Sequence, residues 1–186
     1  MKLEKIKDSL KASPIVKMGD YDYFVNPITD GIPRMDPSIL TEVLDGLQEI
    51  GDFDCDLIVA PESMGIPIAV PLSLATGIPY NIIRKKRYGL SGEVSATQIT
   101  GYSKSDLYIN GISRGDRVTI VDSVVSTGGT LRAVMQGLRS IGTEIVDIVI
   151  AVEKGDGKLQ LEKEFGVEIK TLVKIELRNR KVEIIG

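Results

Sequence analysis

The residues best suited to chemistry lie in the stretch VTIVDSVVSTGGT, residues 118–130. The mostly apolar run VTIV leads to Asp122, and a segment rich in hydroxyl groups and glycine follows directly before a predicted helix. That segment, called the glycine loop below, consists of Ser126, Thr127, Gly128, Gly129 and Thr130. Glycines at a helix N-terminus leave backbone N–H groups free to bind an anion, and the helix dipole adds to the attraction. The pattern predicts a phosphate site, although not a Walker loop, because no lysine follows the glycines.

Asp122 narrows the choice of ligand, because an ionised carboxylate offers only hydrogen-bond acceptors and must face donors or a cation. A ribose with two adjacent hydroxyl groups supplies two donors a short distance from its own phosphate. Asp122 and the glycine loop together therefore predict a site for a phosphorylated ribose. The alternative is an ordinary strand-to-helix turn, with Thr127 as the N-cap and Asp122 as a solvated loop acid.

Composition excludes several other kinds of chemistry. The chain has 186 residues, no histidine and a single cysteine, Cys55, which excludes the usual zinc sites, histidine-based triads and an intramolecular disulfide. A net charge of −3 argues against a protein whose main task is to bind duplex nucleic acid. The N-terminus does not resemble a signal peptide, and prolines interrupt the apolar residues 65–80, so no membrane span is predicted. We expect one soluble domain, residues 1–186, in the cytoplasm.

The elements that must position these residues alternate between strands and helices. Strands are predicted at residues 56–60, 80–84, 117–121, 144–152 and 167–177, with a last candidate at 181–185 that would pair with its predecessor. Helices are predicted at residues 3–10, 37–50, 130–142 and 156–166, and after residue 65. This alternation predicts an α/β fold with a parallel sheet covered on both faces, whose ligands bind beyond the carboxyl ends of the strands. Residues 12–33 and 84–106 lack clear periodicity and are predicted to be loops.

The stretch 118–130 strongly resembles the signature of type I phosphoribosyltransferases: a strand, two acidic residues, a few small or apolar residues, then TGGT or a variant. The resemblance covers most of the chain. It implies the parallel-sheet fold of that family, with a small hood at about residues 12–35 and a flexible catalytic loop at about 85–105. It further implies that the glycine loop holds the 5′-phosphate of phosphoribosyl pyrophosphate and that Asp122 holds the ribose hydroxyls and takes part in catalysis. Ser123, counted among the phosphoribosyl contacts, stands where the family has its second acid, which leaves half of the usual acidic pair absent.

The same resemblance implies a pyrophosphate site built from two segments. The loop after the first predicted strand contributes Glu62, Ser63, Met64 and Gly65, and the basic segment contributes Arg84, Lys85 and Lys86. Tyr102 falls at the family's loop tyrosine and is a second catalytic candidate. The alternative for the first loop is a proline-started turn that packs Met64 into the core. The basic residues could instead form a solvated surface run or contact nucleic acid.

Three residues are candidates for contact with a purine base. Phe24 lies in YDYFVNPITDG, which is similar to the purine-side hood of adenine-type enzymes, and its alternative role is to anchor the N-terminal arm. Val124 follows the acid of the signature. Lys154 ends a predicted strand at the same sheet edge, where 6-oxopurine enzymes carry a lysine that donates to the exocyclic oxygen; its alternative is an exposed charged loop.

The overall resemblance is strongest to archaeal hypoxanthine/guanine phosphoribosyltransferases. It implies a purine-salvage enzyme in which a purine nitrogen displaces pyrophosphate from the anomeric carbon, with Mg²⁺ carried mainly by phosphoribosyl pyrophosphate and no metal site of the protein's own. It also implies a homodimer, without nucleic-acid or membrane partners. The alternatives are an adenine phosphoribosyltransferase and a non-catalytic regulator that senses phosphoribosyl pyrophosphate.

Overall fold

The computed structural model describes residues 2–101 and 104–186. Its helices and strands, in chain order, are α1 (Glu4–Lys11), β1 (Ile15–Met18), β2 (Tyr21–Phe24), α2 (Pro27–Asp30), α3 (Pro37–Ile50), β3 (Leu57–Pro61), α4 (Ile66–Thr76), β4 (Tyr80–Ile83), β5 (Val94–Ile99), β6 (Lys104–Ile109), β7 (Arg117–Val125), α5 (Gly129–Ile141), β8 (Glu144–Lys154), α6 (Gly157–Phe165), β9 (Lys170–Arg178) and β10 (Lys181–Ile184).

A six-stranded sheet with the order β10-β9-β8-β7-β3-β4 forms the centre of the fold. The strands β9, β8, β7, β3 and β4 are parallel, as the sequence predicts, and β10 pairs antiparallel with β9 at the edge. The candidate pairing of residues 181–185 with the preceding strand is thus confirmed. Strand β9 begins at Lys170 rather than at residue 167, because the carboxylate of Glu162 accepts a hydrogen bond from the N–H of Ile169 and holds the approach to the strand against α6.

Helices cover both faces of this sheet. Ile58 and Ala60 of β3 pack with Leu47 of α3 and Ile68 of α4 on one face. Val59 of the same strand belongs to the opposite core, where the side chains of α5 and α6 pack. Successive strand residues point to opposite faces, so a strand that is covered on both sides must be apolar throughout. The predicted doubly covered α/β fold is confirmed.

The two segments predicted as loops each contain a β-hairpin, so this part of the interpretation was wrong. Within residues 12–33, β1 pairs antiparallel with β2 and a short α2 follows. Residues 84–106 contain the whole of β5 and the start of β6, and these two strands pair antiparallel. The alternation of β5 is obscured at its end, because the polar Gln98 is buried while the apolar Ile99 is 62% exposed. An amphipathic strand is recognised in a sequence because its apolar residues are the buried ones, and at the end of β5 this relation is reversed.

The β5–β6 hairpin lies on α5 rather than in the central sheet. Gly137 of α5 lies directly against the hairpin, because a Cβ there would meet the Cδ1 atom of Ile109 in β6. The N–H and carbonyl of Arg84, directly after β4, also pair with Tyr108 of β6. The hairpin is therefore fixed at its base and extends toward the carboxyl ends of the parallel strands. Among the described residues, no helix is both long and apolar enough to cross a membrane.

Candidate active site

Two adjoining cavities open at the carboxyl ends of the parallel strands, where the fold class predicts a ligand. The first has a volume of about 100 Å³ and the second about 360 Å³, so the second alone is within the range of small-molecule sites. Residues from the hood, the β5–β6 hairpin and the β7–α5 connection line both of them: Tyr23, Thr29, Thr100, Val124 and Thr130. The two cavities are thus parts of one continuous site.

The glycine loop lines the first cavity as a unit, with Thr130 reaching the second as well. Gly128 precedes α5 with φ of +79°, a conformation that strongly favours glycine, and as the N-cap residue it has no side chain with which to cap the helix. The N–H of Gly157, the first residue of α6, donates to the carbonyl of Ser126 at 3.0 Å, and this bond joins the glycine loop to α6. The uncapped N–H groups at the start of α5 therefore border a cavity, which is the arrangement that binds an anion.

Gly129 brings the hairpin against the start of α5. A Cβ atom on Gly129 would overlap the carbonyl oxygen of Ile99 and approach the backbone nitrogen of Thr100 to 3.2 Å. The backbone at the end of β5 consequently lies directly on the first turn of the helix. This close approach closes one side of the cavity and requires that residue 129 have no side chain.

Asp122 lines the second cavity from β7. Its Oδ1 atom accepts a hydrogen bond from the N–H of Ser123 at 2.7 Å, and the hydroxyl of Ser123 lies 3.5 Å from the same atom. Burial raises the pKa of this carboxyl to about 7, while the bonds from Ser123 and the charge of Lys85 act in the opposite direction. Asp122 is therefore a carboxylate whose charge changes near neutral pH.

The loop after β3 meets the second cavity through Glu62, Ser63 and Met64. Gly65 lies behind them, where a Cβ atom would come within 2.6 Å of the carbonyl oxygen of Pro61, so the turn into α4 needs glycine. The peptide bond between Glu62 and Ser63 is cis. Met64 is partly buried and lines the cavity, and it belongs to neither hydrophobic core.

Glu62 ties this loop to the basic segment, Arg84–Arg87. Its carboxylate accepts a hydrogen bond from the N–H of Lys85 at 3.0 Å and forms an ion pair with Nε of Arg84 at 2.5 Å. Lys85 lines the second cavity, whereas the ammonium of Lys86 lies 5.5 Å from the ring centroid of Tyr88. Of the three basic residues predicted to bind pyrophosphate, the structure thus brings Lys85 to the cavity and gives Arg84 and Lys86 other partners.

The base candidates have different positions. Phe24 is almost fully buried and lines the first cavity, and Val124 lines both. Lys154 lines neither cavity. Its ammonium donates to the carbonyl of Asp22 at 2.5 Å and lies 3.9 Å from the ring centroid of Tyr21, so it supports the hood from behind. Tyr102 lies outside the described residues.

Sequence reasoning did not select several residues that line the cavities: Tyr21, Tyr23, Thr29, Asp30, Gln98, Thr100 and Gly101. The hood group is held together by short-range bonds, since the carboxylate of Asp30 accepts from the hydroxyls of Tyr23 and Thr29, both at 2.6 Å. The spacing of tyrosine, threonine and aspartate in YDYFVNPITD is the sequence feature from which this hydrogen-bonded group could have been predicted. Gln98 in β5 and Thr100 directly after it carried no signal because this strand was not predicted.

Comparison with known proteins gives the family of this architecture. Residues 45–179 match the phosphoribosyl transferase domain. A hypoxanthine/guanine phosphoribosyltransferase of Methanobacterium lacus is 53% identical over 183 residues, which cover 98% of this chain and 96% of that protein. The protein of the same name from Methanosarcina mazei is 52% identical over 182 residues, with 98% and 96% covered.

Solved structures show the same fold. An adenine phosphoribosyltransferase of Thermoanaerobacter pseudethanolicus superimposes with a TM-score of 0.75 at 25% identity, covering 93% of this chain and 99% of that one. The adenine phosphoribosyltransferase of Trypanosoma brucei, solved with AMP, pyrophosphate and ribose 5-phosphate, gives a TM-score of 0.73 at 18% identity, with 92% and 79% covered. The predicted type I phosphoribosyltransferase fold is confirmed.

Proposed function

The chain belongs to the phosphoribosyltransferase family, and on that premise we propose that it transfers a phosphoribosyl group to hypoxanthine or guanine, releasing pyrophosphate and forming IMP or GMP. The observation that carries the proposal is the joint cavity in which the uncapped start of α5 lies next to Asp122. Relatives about half identical over nearly the whole chain bear the name of this activity, which supports the choice of 6-oxopurines over adenine.

Different residues of the site are suited to the different parts of the two substrates. The glycine loop would hold the 5′-phosphate, and Asp122 would accept from the ribose hydroxyls. Backbone N–H groups of Ser63 and Met64, together with Lys85, would bind the pyrophosphate, while the N–H of Gly65 donates to Pro61 and Glu62 positions Lys85 rather than binding phosphate itself. Phe24 and Val124 supply the apolar surface against which a flat purine would lie.

The proposed reaction needs little covalent chemistry from the protein. A purine ring nitrogen attacks the anomeric carbon as pyrophosphate leaves, and positive charge develops on the sugar. The residues at the cavity contribute orientation and electrostatic stabilisation. We propose that the chain is a single domain, and that its hood and the loop at about residues 85–105, including Tyr102, close over the substrate and keep water from the sugar.

Magnesium fits this site as an ion bound mainly by the substrate. No cluster of three or more histidine, cysteine or acidic side chains suited to a metal exists among residues 2–101 and 104–186. Both carboxylate oxygens of Glu62 and of Asp30 already have partners within the protein. In Asp122 the bonds from Ser123 go to Oδ1, so its Oδ2 is the oxygen that fits a contact with the ion or its waters. Bound in this way, the ion would supply positive charge to the pyrophosphate. The single cysteine fits the reducing cytoplasm as the proposed compartment.

The activity is tested by measuring pyrophosphate release with phosphoribosyl pyrophosphate and each of hypoxanthine, guanine, xanthine and adenine. We expect the highest kcat/KM with hypoxanthine or guanine. A strong preference for adenine would instead support an adenine phosphoribosyltransferase. Binding of phosphoribosyl pyrophosphate without release by any purine would support a non-catalytic regulator.

Lys85 and Lys86 form a matched pair for mutation, because they are adjacent lysines of which one lines the cavity. Replacing Lys85 by alanine is expected to raise the KM for phosphoribosyl pyrophosphate by about 10-fold, the loss of a hydrogen bond to a charged group. The Lys86→Ala control is expected to change this KM less than 2-fold. Steady-state kinetics with both variants checks the assignment, and equal effects would mean that the two lysines act only through net charge.

We further propose that the protein forms a homodimer through α4. This helix is apolar around its whole circumference, yet Leu74 is 82% exposed, and an all-apolar helix is normally buried. Light scattering is expected to give twice the 20.2 kDa chain mass, and Leu74→Lys is expected to shift the protein toward monomer. Leu159→Lys, at a 52% exposed leucine of α6, is the control that should stay dimeric. A monomeric unmodified protein at micromolar concentration would contradict the proposal.

A further inference from the structure

Tyr21 connects the hood to the glycine loop across 105 residues of sequence. Its hydroxyl oxygen lies 2.7 Å from the hydroxyl oxygen of Ser126, the first residue of the loop. Tyr21 also lines the first cavity together with all five residues of the glycine loop. The phenol is thus at the wall to which the 5′-phosphate is assigned, although it belongs to a different part of the fold.

Two further contacts hold the ring in this position. The ammonium of Lys154 lies 3.9 Å from the ring centroid and also donates to the carbonyl of Asp22, the next residue in β2. Gly101 lies so near that a Cβ atom there would come within 2.6 Å of Cδ2 of the ring. The end of β8 and the backbone that follows β5 both contact the ring and restrict its movement.

We propose that the Tyr21 hydroxyl is a further ligand of the substrate's 5′-phosphate, and that through it the hood distinguishes a phosphorylated ribose from an unphosphorylated one. A phenol can donate to a phosphate oxygen, and Ser126 can donate to a second one from its present position. The Lys154 ammonium, 3.9 Å from the ring centroid, stabilises the aromatic ring from outside the cavity. This inference rests on the proposed function, because it assigns the phosphate to the glycine loop.

The hood provides a matched control in Tyr23. That tyrosine lies in the same strand, but its hydroxyl donates to Asp30 within the hood rather than to the glycine loop. Tyr21→Phe and Tyr23→Phe each remove one hydroxyl and keep the ring. A loss that comes only from a weakened hood should appear in both variants, whereas loss of a phosphate ligand should appear only in the first.

The test is calorimetric titration of both variants and the unmodified protein with GMP, guanosine and ribose 5-phosphate. Tyr21→Phe is expected to weaken GMP and ribose 5-phosphate by about 10-fold, the loss of a bond to a charged group, and to leave guanosine unchanged. In kinetics, the KM for phosphoribosyl pyrophosphate should rise while the KM for the purine stays constant. Tyr23→Phe should leave the ratio of GMP to guanosine affinity as it is in the unmodified protein.

The outcomes separate this inference from the proposed function. If the unmodified protein bound GMP and ribose 5-phosphate and Tyr21→Phe bound them equally well, the phosphate role of Tyr21 would be wrong while the proposed function stood. If Tyr21→Phe weakened GMP and guanosine by the same factor, the hydroxyl would serve the hood rather than the phosphate. If the unmodified protein bound neither phosphorylated ligand, both proposals would fail together.

Discussion

Replacing Gly129 by alanine is expected to lower kcat/KM by about 100-fold, the cost of displacing a catalytic element by roughly 1 Å. The added methyl group would overlap the carbonyl oxygen of Ile99, and because that atom is backbone, the end of β5 has to move away from the helix. The central sheet does not include β5, so we expect far-ultraviolet circular dichroism to be unchanged. Steady-state kinetics and titration with GMP measure the effect.

Gly137→Ala is the matched control for this substitution. It lies two turns further along α5 under the same hairpin, and its new methyl group would meet only the terminal Cδ1 of Ile109, which can move. An alanine inside a helix also stabilises it by about 1 kcal/mol relative to glycine. Gly137→Ala should therefore retain near-normal kcat/KM. If Gly129→Ala were equally active, the close contact between β5 and α5 would have no role in the reaction.

Replacing Asp122 by asparagine is expected to lower kcat/KM by about 10- to 100-fold, because it removes a charged acceptor for the ribose hydroxyls. The two side chains have nearly the same shape, so the fold should be kept. Kinetics with phosphoribosyl pyrophosphate as the varied substrate measures the loss. Unchanged turnover would remove Asp122 from the site.

The pH dependence of the same pair of proteins gives a second measurement. The pKa of Asp122 is raised to about 7, so kcat/KM should fall as the pH is lowered through 7 and the carboxylate takes up a proton. This acid limb should be absent in Asp122→Asn, while any titration of the substrate phosphates remains in both. In Lys85→Ala the limb should shift to higher pH, because a charge that lowers the pKa has been removed.

As the pH is lowered, the contribution of Asp122 to the free energy of unfolding should rise, whereas kcat/KM should fall. Because burial raises the folded-state pKa of Asp122 above its ordinary value of 3.8, the folded protein holds a proton between about pH 4 and pH 7 that the unfolded chain has released. The contribution of Asp122 to stability is therefore most favourable at low pH and is lost as the pH rises through 7. Asp122→Asn should raise the melting temperature at pH 8 and have little effect at pH 4. A lower melting temperature at pH 8 would contradict this assignment.

The core of the site could be predicted because its signals are local. The apolar run before Asp122 specifies a buried strand, and the glycine loop specifies the start of a helix within a few residues of it. The fold class follows from the same alternation of strands and helices. Helix α3 begins where expected, since the side chain of Asp36 accepts from the N–H of Ser38 at 2.7 Å and proline follows it.

The remaining parts depend on contacts between distant segments, which a local pattern does not carry. Strand β5 ends with a buried glutamine and an exposed isoleucine because it lies on α5 next to the cavity, and this reverses the usual pattern. The partner of Lys154 is a hood carbonyl 132 residues away, and the partners of Glu62 lie more than 20 residues away. The sequence was enough to predict that these charged side chains lie near the site. It was not enough to predict whether they contact a ligand or another part of the chain.

A crystal structure of the protein with GMP tests the central claim most directly. We expect the 5′-phosphate oxygens to lie within about 3.2 Å of the backbone nitrogens at the start of α5, and the ribose hydroxyls within the same distance of the Asp122 carboxylate. The nucleotide bound at another place on the molecule, with no ligand density between the glycine loop and Asp122, would contradict the assignment of this site.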